Sequence, residues 1–338
     1  MPHSRHRDAV SLQHKILIHD QDLGVEMDRR NLLRSIVAGT AVSGDFLPKF
    51  VFAQECPDGL LRGMQLYSVY DLLVSDARAA LSAVGELGFR NVEFFDLDSP
   101  AAQADNFFGL SSRDFAAAIS MSGLRMKHAH IGTIWEDTDS VARIADKLGI
   151  EVLILGAAEE FYDLQHGNFN PKPATDLVQL DRLALRLNET GRRYRQLGFS
   201  FGYHNHWTEF IPIEGKIPLD FLIENTDPDN FKLELDLAWL TVAGLDPAAY
   251  LRRHANRVIS CHMKDFDDSI ELPESPTWSQ YIEASIVEPG SGSMNFEILL
   301  DVLTEIGLEY AFIEIDKSSD PKAAIERGMH HLLSLRGC

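Results

Sequence analysis

One junction recurs along this chain: a helix-like stretch ends on glycine and an apolar strand follows at once. It reads Leu87-Gly88-Phe89, Ser122-Gly123-Leu124, Leu148-Gly149-Ile150, Leu197-Gly198-Phe199 and Ile306-Gly307-Leu308. Glycine can take the left-handed conformation that closes a helix, and the next apolar residue opens the strand. Five such junctions at irregular spacing predict repeated αβ units rather than a solenoid. Strands are predicted at Gly63–Tyr67, Asn91–Phe95, Met126–His130, Val152–Leu155, Ser200–His204, Lys232–Asp236, Val258–His262 and Ala311–Ile315. Helical patterns separate them, at Asp76–Leu87, Ser111–Met121, Ser140–Lys147, Leu177–Gln196 and Phe296–Ile306, with Pro321–Leu335 last and proline in its first turn. Strands alternating with helices imply a parallel sheet with right-handed crossovers, and eight of them imply one α/β fold, a single closed (β/α)8 TIM barrel. The helix after Ile211–Pro218 is predicted to be short. The Pro- and Gly-rich stretch Phe266–Ser293 is read as a long binding loop or lid.

With 338 residues, 45% of them hydrophobic, the chain can bury one large core. Its formal charge of −20 argues against nucleic acid or an anionic membrane as partner, because either needs a basic face. Cys56, Cys261 and Cys338 are scattered and odd in number, so they do not read as a disulfide framework, and Cys261 sits in a strand-like run as a small buried hydrophobe.

A barrel turns a run of strand endings into a site. Active sites lie at the C-terminal ends of barrel strands. Strands five to eight, neighbours around the ring, close on His204, Asp236, His262 and Glu314. His204 and His206, two residues apart, face the same way, and two adjacent imidazoles are costly to bury unless something binds them. Any one of these side chains alone reads as an ordinary hydrogen-bonded core residue. Four in the right order read as the ligands of one divalent ion. Two histidines with two carboxylates suit Mn²⁺ or Zn²⁺ best, with Co²⁺ or Fe²⁺ as alternatives, and suit Mg²⁺ or Ca²⁺ less.

The chain resembles the xylose-isomerase-like barrel superfamily, in its sugar phosphate isomerase/epimerase branch, from Leu61 to about Leu335. The resemblance rests on Met64-Gln65-Leu66-Tyr67-Ser68-Val69, Tyr203-His204-Asn205-His206, Leu235-Asp236-Leu237-Ala238-Trp239, His262-Met263-Lys264-Asp265 and Phe312-Ile313-Glu314, in that order. It implies one divalent ion held by His204, Asp236, His262 and Glu314. Epimerases of the group carry a glutamate where His204 stands, paired with the eighth-strand glutamate so that each moves a proton on one face of the sugar. The Tyr-His-Asn-His pattern also resembles inosose dehydratases and lyases of 3-keto-glycosides, in which a histidine two residues past the ligand serves as acid/base; His206 matches it. In Pro289-Gly290-Ser291-Gly292-Ser293-Met294-Asn295-Phe296, Ser291 and Asn295 stand where relatives often carry acids.

The implied chemistry is removal of a proton next to a ketone, giving an enediolate. His206 and Glu314 are the candidate acid/base groups, with Glu209 in reserve and Lys264 facing an oxyanion or hydroxyl. Gln65, Tyr67, Glu93, His130 and Trp239 are the candidate substrate contacts. Glu93 reads equally as a partner of Lys127 or Arg90, and the aromatics equally as rim packing. Arg192-Arg193-Tyr194-Arg195 reads as a solvated helix face. Return of the proton to carbon gives a sugar isomerase or epimerase, the reading placed first; loss of a β-substituent gives a lyase, dehydratase or hydratase on a 3-keto-glycoside or inosose. A DNA-cleaving relative would need more ligands and a basic face, and a non-catalytic sugar binder would not need acid/base groups around a metal. The expected partner is a small carbohydrate, with self-association left open.

The residues before the barrel read differently. Met27-Asp28-Arg29-Arg30-Asn31-Leu32-Leu33-Arg34 resembles the twin-arginine export motif, Ile36–Val42 is a modest apolar segment, and Val51-Phe52-Ala53 offers small residues before a cleavage point at Gln54. The expected division is an extension over 1–26, a signal peptide over 27–53 and the barrel over 54–338. It implies the twin-arginine machinery as partner, a periplasmic location and an unphosphorylated substrate. N-terminal sequencing of the unprocessed precursor is expected to start at Met27; any residue upstream of it would refute that start.

Overall fold

The computed structural model describes residues 58–163, 170–272 and 278–338. The proposed extension and signal peptide lie outside them. Eight parallel strands close into a barrel in sequential order around the ring: β1 Gly63–Gln65, β2 Asn91–Phe94, β3 Arg125–Ile131, β4 Val152–Leu155, β5 Ser200–His204, β6 Lys232–Asp236, β7 Val258–Met263 and β8 Ala311–Ile313. One main helix follows each: α1 Tyr70–Glu86, α2 Ser112–Met121, α3 Thr138–Leu148, α4 Leu177–Gln196, α5 Pro218–Glu224, α6 Pro247–Arg253, α7 Phe296–Glu305 and α8 Pro321–Leu335. This is the (β/α)8 arrangement that the strand count predicts. The glycines at all five helix-to-strand junctions have positive φ, from 70° at Gly307 to 104° at Gly88.

The packing follows the helical period. On α4 the buried residues are Leu180, Leu183, Ala184, Leu187, Thr190, Gly191 and Tyr194, one stripe at three- and four-residue spacing. Leu180, Leu183 and Leu187 are fully buried, each worth about 1.5–3 kcal/mol relative to exposure. Asp176 caps the helix by accepting from the Gln179 amide at 2.8 Å. Arg192, Arg193 and Arg195 point outward to Glu189, Asp139 and Asp229, whereas Tyr194 is buried and donates to the Trp135 carbonyl at 2.7 Å.

Three boundaries differ from expectation for local reasons. The first strand ends at Gln65, because its side-chain oxygen accepts from the Tyr67 amide at 3.3 Å and turns Leu66–Val69 into a 3-10 helix. The helix expected from Asp76 begins at Tyr70 and kinks at Asp76, whose carboxylate accepts from the Ala79 amide at 3.0 Å and restarts the helix like an N-cap. The stretch read as one long loop after β7 contains a two-stranded ribbon, Asp265–Phe266 with Ile286–Val287, and a short helix, Trp278–Ala284. Asp265 fastens the segment beyond the ribbon, accepting from the amides of Gly290, Gly292 and Met294 at 2.9, 2.9 and 3.0 Å. Asn295 caps α7 by accepting from the Ile298 amide at 3.1 Å.

Cys261 is a free, buried thiol, while Cys338 is disulfide-bonded, which the scatter of the cysteines did not foretell. Among the described residues no helix is long and apolar enough to cross a membrane.

Gly191 lies on the buried stripe of α4, where an added Cβ would collide with the Asn230 carbonyl oxygen. Gly191→Ala is expected to lower unfolding stability by about 1–3 kcal/mol, the usual cost of overpacking, with far-ultraviolet circular dichroism of the folded state unchanged. Denaturant titration measures it.

Candidate metal centre at the barrel mouth

Strand register brings the four endings together. His204 pairs with Glu234, Asp236 with His262, and His262 with Phe312, so each strand end steps up beside its neighbour. Donor atoms of His204, Asp236, His262 and Glu314 lie within 4.8 Å of one another, all in buried residues. His204 Nε2 is 3.8 Å from Asp236 Oδ2, and His262 Nδ1 is 2.5 Å from Glu314 Oε2. Asp236 is held by its own backbone: Oδ1 caps the short helix Leu237–Val242 by accepting from the amides of Ala238 and Trp239 at 3.0 and 3.1 Å. Its Oδ2 is buried without a hydrogen bond, facing the group. Burial first, then the neighbouring His262, pushes the His204 imidazole down to about 3, so it stands neutral as a ligand must. Burial raises Asp236 to about 6, against the pull of Lys264 and His262. A neutral imidazole at His204, a buried carboxylate oxygen without a hydrogen bond and mixed N/O donors suit a divalent cation.

The proposed acid/base groups separate into two kinds. His206 is buried beside the quartet, its ring 4.8 Å from that of His204 and 5.3 Å edge-on from Tyr162. Burial, then His204 and Lys264, hold it well below its ordinary value and therefore neutral. Lys264 is fully buried, with Nζ 3.0 Å from Glu314, 3.3 Å from Asp236 and 2.9 Å from Asp316. Burial alone would strip its proton, but Asp316, Glu314 and Asp236 outweigh that and hold the ammonium charged. Glu209 is differently occupied. It accepts from the hydroxyls of Tyr203 and Thr208 at 2.7 and 2.9 Å, from Tyr162, and from the His206 amide at 3.1 Å. Burial raises it in spite of these donors. It anchors the turn that carries His206.

The candidate substrate contacts fall in three places. Tyr67 is at the rim, 43% exposed, and partial burial, then the carboxylates of Asp316 and Glu314, raise its hydroxyl above the ordinary value. Gln65, Glu93 and His130 sit below the quartet. Gln65 donates to Glu93 at 2.9 Å, Glu93 is 2.6 Å from His262 Nε2, and His130 Nε2 is 2.6 Å from Glu234. Glu93 pairs with neither Lys127, which bonds Glu151, nor Arg90, which donates to the carbonyls of Gly85 and Phe89. His128, one step deeper, packs on Tyr310 and Phe312. Trp239 is the correction. It is fully buried against Trp207 and Tyr281, 5.0 and 5.6 Å between centroids, so no face is open for a sugar ring. Its cover comes from Trp207 just past β5 and from Tyr281 on the Trp278–Ala284 helix, which strand counting does not place.

Strand counting misses two further groups. Asp316, two residues past Glu314, completes the cage around Lys264. Glu234 makes a second, deeper group with His130, His204 and His262, also within 4.8 Å. Both share an alternation with a residue already singled out, which is the signal that would have found them. A cavity of about 900 Å³ lies to one side, lined by Trp135, Glu136, Glu160 and Arg186 among others, and Tyr162 belongs to its wall while touching His206.

Comparison with known proteins agrees with the barrel fold. Residues 81–335 match the xylose isomerase-like TIM barrel family. An inosose dehydratase from Lacticaseibacillus casei is 26% identical over 185 residues, 52% of this chain and 60% of that protein. The chain thus spans about three-fifths of that relative's length. A sugar phosphate isomerase/epimerase from Parabacteroides distasonis superposes with a TM-score of 0.66 at 18% identity, covering 85% of this chain and 97% of that one. The probable 3-DHS dehydratase of petrobactin synthesis from Bacillus anthracis gives a TM-score of 0.61 at 13% identity, covering 81% of this chain and 98% of that one. At such identities these structures speak for the fold alone.

Asp236→Asn keeps an oxygen to cap Leu237–Val242 while removing the ligand charge. It is expected to fold normally and to weaken Mn²⁺ or Zn²⁺ by more than about tenfold, since even outer-shell losses cost that much. Isothermal titration with each ion measures the change.

Proposed function

Because the chain belongs to the xylose isomerase-like TIM barrel family, we propose that it is a metal-dependent carbohydrate enzyme that removes the proton next to a ketone of an unphosphorylated sugar or inosose. The observation that carries this reading is the meeting of His204, Asp236, His262 and Glu314 at the barrel mouth, with neutral His206 and charged Lys264 beside them. The cation these four would hold supplies Lewis-acid polarisation of a carbonyl and its neighbouring hydroxyl. His206 then takes the α-proton: its imidazole is neutral, and its turn is fixed by Glu209. Lys264, locked among Asp236, Glu314 and Asp316, sets a positive charge where the oxyanion develops. Tyr67 at the rim contacts the substrate.

The enediolate has two fates. In isomerisation or epimerisation the proton returns to carbon, with Glu314 or His206 as donor. In elimination a β-hydroxyl or glycosidic oxygen leaves with a proton and a C=C bond forms. Two features favour elimination: His204 replaces the glutamate that would serve the opposite face of an epimerase, and the curated relatives include inosose dehydratases. The unphosphorylated substrate follows from the proposed twin-arginine export.

Metal-replete protein is expected to wash the α-proton of at least one keto-sugar or inosose into D₂O, and NMR of the products separates the isomer from the dehydrated species. A panel without exchange would end this reading. His206→Gln is expected to lower kcat by about 10²–10⁴-fold with metal content unchanged.

A further inference from the structure

The geometry points to Glu234 as the positioning residue that fixes the tautomers of both quartet histidines, so that His204 offers Nε2 and His262 offers Nδ1 to the cation. This rests on the reading that the quartet holds one divalent ion. Each of these histidines faces two layers. His262 Nδ1 looks toward the mouth, 2.5 Å from Glu314, while its Nε2 looks inward, 2.6 Å from Glu93 Oε2 and 3.0 Å from Glu234 Oε1. His204 is arranged likewise: Nε2 faces Asp236 at 3.8 Å and Nδ1 faces Glu234 Oε1 at 3.3 Å. Glu234 Oε1 is therefore the point on which both inward nitrogens converge. His130 Nε2 reaches the same oxygen at 2.6 Å, with its ring stacked on His262 at 5.3 Å and 6°.

His130, His204, Glu234 and His262 could themselves be a ligand set, and chemistry decides between the two layers. A neutral imidazole has one lone pair in the ring plane and one N–H, so a single ring cannot ligate in both layers without losing a second proton. One layer binds and the other supports. The inner carboxylate is already satisfied by protein: Ser260 Oγ donates to Glu234 Oε2 at 2.6 Å, and His130 engages Oε1. The outer Asp236 Oδ2 makes no hydrogen bond, with Lys264 Nζ 3.3 Å away, and in the inner layer Glu93 Oε1 and His204 Nδ1 likewise make none. Glu234 has both oxygens held by groups outside the outer quartet, Ser260 and His130, so it stands as the support, and the inner nitrogens carry the protons and face it. Ligating histidines commonly give their second N–H to a carboxylate, which orients the ring and raises its basicity. Here one carboxylate serves two ligands, and the two ligands bind through opposite nitrogens.

The test uses the full chain with ring-¹⁵N-labelled histidine, loaded with Zn²⁺. Nitrogen–proton correlation spectra of the unaltered protein are expected to show His204 protonated at Nδ1 and His262 at Nε2. Chelator competition on Glu234→Gln is expected to show about 10–100-fold weaker Zn²⁺ at unchanged one-ion stoichiometry. Either histidine protonated at the outer nitrogen overturns the assignment, and needs no variant to fold. So does Glu234→Gln with unchanged affinity, or with all Zn²⁺ binding abolished in a folded protein, which would make Glu234 a ligand. Failure of the unaltered protein to take up Zn²⁺ or Mn²⁺ would instead remove the metal reading beneath it.

Discussion

Buried charge is the constraint that the mouth of this barrel has to satisfy. Glu93, Glu234 and Asp236 are wholly buried, Glu314 nearly so, and Lys264 is completely enclosed beside them. An isolated ion taken out of water costs several kcal/mol, so such groups persist only where partners and hydrogen bonds repay the loss. The partners come from different strands. Lys264 just past β7 meets Asp316 beyond β8 and Asp236 at the end of β6, and Glu93 on β2 meets His262 across the barrel. No strand could supply these pairs for itself, and only closure of the ring brings them within reach. The polar cluster and the barrel therefore depend on each other: a register slip of one residue would turn the inward carboxylates outward and leave Lys264 alone in the core.

That dependence explains why the outer quartet is legible in the sequence and its support is not. Glycine junctions and apolar runs fix where each strand ends, and the C-terminal ends of barrel strands converge by geometry. His204, Asp236, His262 and Glu314 need only that count. Glu234 and Asp316 require a second inference, that residues two apart on a strand share a face. The same inference pairs His204 with His206, but counting endings takes only the last residue of Lys232-Leu-Glu-Leu-Asp236. Glu93 and His130 read as inward-facing, yet their depth below the quartet depends on barrel shear, which register sets and sequence does not print. Trp239 reads as a sugar platform only while its cover is unseen, because Trp207 and Tyr281 arrive from other segments. The same holds for Asp265, whose loop partners lie some 25 to 29 residues on.

The histidine at the end of β5 changes the charge at the centre as well as its acid/base chemistry. With His204 neutral, the quartet's negative charge comes from the two carboxylates Asp236 and Glu314. They would match one divalent ion once His262, whose charge burial opposes but Glu234 and Glu314 maintain, gives up its proton to bind. Asp316 is matched by Lys264. Burial opposes a charge on His130, but Glu93 and Glu234 overcome it and raise the imidazole to about 9, so His130 offsets one of that inner pair. A glutamate at position 204 would add a third negative charge to the quartet and face Glu234 directly across the β5–β6 register, where like charges repel. The inner carboxylate and the outer histidine are thus consistent with each other: Glu234, held by Ser260 and His130, has a neutral imidazole 3.3 Å away at residue 204 instead of a second carboxylate, and under the proposed assignment the Nδ1 proton of His204 points toward it.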